Sequence, residues 1–152
     1  MATGMLHLHN LMRWLVVLFA VWTLLKMIGG MSGGKAFSSA DKKPALFLMI
    51  SVDIQLLLGL YLYISKGWGT VLTAGGFMKN AAQRFWAMEH IFGMLVGIIL
   101  IHVGYSAIKK NIEDKAKFKK VFWFTLIGFV IILATIPWPF RELVGRPLFP
   151  GM

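Results

Sequence analysis

The stretch Phe85–Ile108 reads FWAMEHIFGMLVGIILIHVGYSAI. Beyond Glu89 and His90 it carries no Asp, Glu, Lys or Arg until Lys109. Coiled as a helix, a run of this length crosses the roughly 30 Å hydrocarbon core of a bilayer. Three other runs have the same character, from about Leu6 to Ile28, from Pro44 to Ile64 and from Val121 to Ile136. Loop chemistry separates them: Gly29-Gly30 and Gly33-Gly34, then Lys66-Gly67-Trp68-Gly69, then a charged run from Lys109 to Lys120. Pro44 suits a first helical turn, where its missing N–H costs nothing, and Pro137 and Pro139 stop the last helix. The expected fold is all-α, an integral membrane four-helix bundle forming a single domain over residues 1–152.

Composition agrees. Hydrophobic residues make up 58% of the chain and charged ones only 14%, too few for a soluble domain of this size. Cysteine is absent, which excludes disulfides, thiolate metal sites and thioether-linked haem. The net charge of +10 sits in short loops between apolar runs, which suits anionic membrane lipid rather than nucleic acid. No basic n-region precedes the first apolar run and no small-residue cleavage pattern follows it, so it is read as a mature helix.

Ten lysines (26, 35, 42, 43, 109, 110, 115, 117, 119 and 120) fall at one end of the bundle, against Arg13, Lys66, Lys79, Arg84, Arg141 and Arg146 at the other. The positive-inside rule then puts the first and third loops in the cytoplasm and both termini outside, in a multi-pass protein of the bacterial inner membrane. Trp14, Trp68, Trp86 and Trp138 gather near the outer ends, as an interfacial aromatic belt does.

Ionisable groups inside a span are costly and mark functional candidates. Here they are His9, Arg13, Asp53, Glu89, His90 and His102. His9 lies 17 residues before Lys26 and His90 lies 19 residues before Lys109. At 1.5 Å per residue those are depths of about 26 Å and about 28 Å. The first and third helices run in the same direction, so the two imidazoles are expected at one level. That arrangement suits two axial ligands of one haem iron in a bundle core.

From His90, Gly93, Gly97 and Gly104 fall within about 60° on the helix and would leave room for a flat macrocycle. The same glycines also fit small-xxx-small helix packing. Arg13 and Arg84 are candidate partners for propionates. Met12 and Met94 flank the expected pocket. His7 points about 160° from His9 and is read as interfacial. His102 lies about 120° around from His90 and roughly 18 Å deeper, a ligand of a second cofactor or a hydrogen-bonded packing residue. Asp53 sits near the midplane, where a carboxylate is protonated or paired. A proton relay, an imidazole partner and a metal ligand are its open roles. Gln55, about 160° from Asp53, does not share its site. Glu89 faces about 100° from His90 and pairs with Arg84 or Arg13, or orients a ligand.

Several segments together resemble a family of small bacterial four-helix membrane proteins labelled cytochrome b-like. They are HNLMRW from His9 to Trp14, DKKP from Asp41 to Pro44 and QLLLGLY from Gln55 to Tyr61. RFWAMEH from Arg84 to His90, GYS from Gly104 to Ser106 and IPWPF from Ile136 to Phe140 complete the set. The resemblance implies a b-type haem protein with His9 and His90 as its histidines. Some relatives carry a histidine where Asp53 stands here, a departure that bears on the ligand set.

The expected function is one-electron transfer by haem b held by His9 and His90, between a quinol pool and a periplasmic electron acceptor. Iron held by two histidines has no open position, which favours an electron carrier or subunit over a stand-alone enzyme. A quinone would sit near Asp53 or Glu89. Two alternatives stand: a non-haem metal or proton-relay protein using Asp53, Glu89, His90 and His9, and a structural subunit of a larger respiratory complex.

Overall fold

The computed structural model describes residues 2–149. Residue 1 and residues 150–152, which include both chain ends, lie outside the described part. Four long helices, α1 (Ala2–Gly33), α2 (Ser39–Ser65), α4 (Ala81–Lys109) and α5 (Asp114–Thr135), are each long and apolar enough to cross a membrane. A short α3 (Trp68–Thr73) and a 3-10 turn (Phe77–Lys79) fill the connection between α2 and α4. The protein is an all-α four-helix bundle of the multi-pass membrane type.

Packing closes a ring: α1 lies on α2, α2 on α4, α4 on α5, and α5 back on α1. The interior holds Val16, Ala20, Leu48, Val52, Ile98, Ile101, Phe129 and Ile132. The outside is equally apolar. Leu11, Leu18 and Leu25, seven residues apart on α1, are all exposed, as are Leu57, Phe92, Ile99 and Val130. A helix hydrophobic on every side is stable only where lipid covers what protein does not.

The helices outrun the apolar windows. α1 continues through Gly29 and Gly30 and ends at Gly34, whose φ of 58° is the true break. Gly30 lies against the Phe118 ring, which leaves no space for a Cβ. Likewise α5 starts at Asp114, so most of the expected Lys109–Lys120 loop is helical, and the Phe118 ring meets Phe37 at a tilt, 4.8 Å between centroids. α2 starts at Ser39, which moves Pro44 from the first turn to the second. Buried Asp41 ties this end together, accepting from Lys35 Nζ at 2.6 Å and from Ser38 Oγ at 2.6 Å.

Glycines weld α4 to α5. A Cβ on Gly97 would lie 2.6 Å from Ile132 Cγ1 and 2.9 Å from the Gly128 carbonyl. Gly97→Val should therefore lower the thermal midpoint by several degrees, since overpacking costs about 1–3 kcal/mol. Gly29, with nothing within 4 Å of its Cβ position, should accept alanine without loss. Circular-dichroism melts in one detergent compare the two, and equal shifts would contradict the packing.

Candidate functional site

The site begins with two prolines. In a continuing helix the carbonyls of Leu133 and Thr135 would accept from the N–H groups of residues 137 and 139, and both are proline. Side chains take over. Trp138 Nε1 donates to Leu133 O at 2.8 Å, and His90 Nδ1 donates to Thr135 O at 2.9 Å. Arg141 Nη1 donates to Ala134 O at 3.2 Å. The tail after α5 then doubles back, with Arg146 N donating to Pro137 O at 2.9 Å.

The bond to Thr135 sets the chemistry of His90. A carbonyl only accepts, so the proton is on Nδ1 and the ring's lone pair is left on Nε2. Histidines that bind metals are oriented in this way. One turn earlier, Phe85–Glu89 is a π-turn, a local widening common at functional sites. It brings residues five apart together, and Arg84 Nε donates to Glu89 Oε1 at 2.6 Å. Tyr63 of α2 braces the turn, its hydroxyl donating to Ala87 O at 2.8 Å.

His90 opens onto a mostly apolar, open-sided cavity between the helices. His9 of α1 lines the same cavity and lies within electrostatic reach of His90. Its Nδ1 is buried without a hydrogen-bond partner. Gly59 of α2 makes room for the ring: a Cβ there would lie 3.2 Å from His9 Cε1. Gln55 Nε2 donates to the His9 carbonyl at 3.0 Å. Val16, Val52, Leu56, Met94, Ile98 and Ile132 supply apolar walls.

Arg13 is buried at the cavity edge, 6% exposed. Its Nη2 donates to Leu148 O at 2.7 Å and Pro147 O at 3.3 Å, pinning the tail across α1. Trp14 Nε1 adds a bond to Leu148 O at 2.9 Å. The interfacial tryptophans meet in pairs here, Trp14 with Trp138 at 6.5 Å and Trp68 with Trp86 at 6.3 Å.

Other expected members lie elsewhere. Gly93 and Gly97 do not line the cavity: they face Thr135, Ile132 and Gly128 in the α4–α5 seam. The reason is that His90 itself leans on α5, so its own helix face is the seam. The cavity side of α4 is instead Ile91, Met94 and Ile98. Met12 is not among the lining residues, and neither are Arg84 and Glu89, which pair with each other. Arg84 Nη1 also donates to Met78 O at 3.1 Å. Asp53 and His102 pair on the outside of the bundle, where His102 Nε2 donates to Asp53 Oδ1 at 2.7 Å. Both side chains are more than 40% exposed. Asp53, Glu89 and His90 are therefore apart, and no cluster of three potential metal-binding side chains exists among the described residues. The non-haem metal alternative loses its ligand set.

Sequence reasoning left Gln55, Gly59, Tyr63, Lys66, Thr135 and Arg146 out of the site. The first three recur every four residues along α2, one inward face opposite Asp53, and that spacing was readable. No family model, curated protein or solved structure matches the chain.

Arg13→Gln should free the tail. Losing charge-assisted bonds to two carbonyls raises local opening by about tenfold or more. Limited trypsin digestion in detergent should cut after Arg141 correspondingly faster, and an unchanged rate would contradict the pinning.

Proposed function

We propose that the chain is a membrane-embedded b-type haem protein that carries single electrons, whose iron His9 and His90 would hold. The carrying observation is the His90–Thr135 bond, which leaves an Nε2 lone pair on a ring lining the same cavity as His9. The orphaned His9 Nδ1, the room at Gly59 and the apolar walls fit a macrocycle. When bound, haem supplies a one-electron couple. The protein's own residues position the two imidazoles, through Thr135 at His90 and through Gln55 and Gly59 at His9, and line the space between the helices with apolar side chains. The likeness to cytochrome b-like sequences in the His9–Trp14 and Arg84–His90 segments supports the same reading.

The charge bias supports a bacterial inner-membrane location with the cavity toward the periplasmic side, near a periplasmic acceptor. A quinol that gives up an electron also gives up a proton. The Asp53–His102 pair, exposed on the bundle's flank, is the proton acceptor we assign to it. The same flank also suits contact with a larger respiratory complex.

Protein purified from a haem-sufficient host should show a Soret band and, on reduction, sharp α and β bands. His90→Ala and His9→Ala should each abolish or strongly shift this spectrum, while His102→Ala should leave it in place. Colourless wild-type protein, or a spectrum indifferent to residues 9 and 90, would overturn the reading.

A further inference from the structure

The cavity mouth carries three cations, Arg13, Lys66 and Arg146, and among the described residues no carboxylate lines it. Among the described residues none of the three has an acidic partner. Arg146 is held over the Trp86 ring at 5.0 Å, and its backbone is fixed by the bond to Pro137. Burial, and then the charge of Arg146, push the Lys66 amine below its ordinary value. Converging like charges cost free energy that a ligand anion would recover. A second, separate observation points the same way. Arg13 is more than nine-tenths buried, and its Nε is left without a partner at the cavity edge.

We propose that Arg13, Lys66 and Arg146 form a receptor for the carboxylate end of an amphiphilic ligand whose apolar body fills the cavity. This deepens the haem reading and rests on it for the ligand's identity: the carboxylates are the two propionates. The mouth thereby fixes which edge of the macrocycle faces outward. Arg84, expected in this role, is taken by Glu89, and Lys66 and Arg146 replace it. A fatty acid offers the same carboxylate chemistry from a different source.

Metal-free protoporphyrin IX separates this proposal from iron ligation, because it presents both propionates and no iron. Apoprotein from a haem-deficient host is titrated in detergent, following quenching of Trp68 and Trp86 at the cavity wall. The free acid should bind about tenfold or more tighter than the dimethyl ester, the weight of at least one charge-assisted hydrogen bond. The double variant Lys66→Ala, Arg146→Ala should lose that preference, Lys66→Arg should keep it, and His90→Ala should keep it too. Equal binding of acid and ester by the wild type, or a preference surviving the double variant, would overturn the receptor. Oleate binding as tightly as the porphyrin, with the same dependence on residues 66 and 146, would overturn the propionate assignment.

Discussion

One hydrogen bond organises the site, the one from His90 to the carbonyl of Thr135. It exists because Pro139 cannot offer an N–H to that carbonyl, so the last turn of α5 must find a donor elsewhere. In a bilayer an unsatisfied carbonyl costs several kcal/mol. The bond thus satisfies the helix end and selects the imidazole tautomer. It also ties α4 to α5 at the cavity's upper wall. Trp138 and Arg141 do the same service for the neighbouring carbonyls. An end of helix that would otherwise be a weakness becomes the frame on which the tail folds back toward Arg13.

The lower bundle holds that frame still. Lipid gives little hydrophobic reason for one apolar helix to prefer another, so close contact must come from shape. The α4–α5 seam supplies it: Gly97 and Gly128 each sit so near the other's carbonyl that a side chain has no space. The loop that joins α1 to α2 is fastened to the start of α2 by the buried Asp41 with its Lys35 and Ser38 contacts. The cavity opens where these two tightly joined pairs face each other, between α1 and α2 on one side and α4 and α5 on the other.

Much of this was legible. Apolar runs and their breaks specify four crossings, and counting from Lys26 and Lys109 suggests His9 and His90 as partners, which the structure places along one cavity. The cost of unpaired charge put an imidazole partner for Asp53 and Arg84 for Glu89 among several open roles, and the structure selects those two. Helix ends were misjudged because lysines and glycines in the outer turns keep helical geometry when a neighbour such as Phe118 packs on them. The glycine face of α4 was assigned to the cofactor because a helical wheel gives the angle between residues, not the partner that face meets. Lys66 and Arg146 were out of reach, since their approach depends on how the chain after Pro139 doubles back.

The tautomer of His90 is the most direct measure of the whole account. Nitrogen-15 NMR of histidine-labelled apoprotein in micelles, assigned with His90→Gln, reads which ring nitrogen bears the proton. We predict a neutral ring protonated at Nδ1, with Nε2 bare and facing the cavity. A ring protonated at Nε2 would mean that Thr135 does not hold it, and the site as described would not exist.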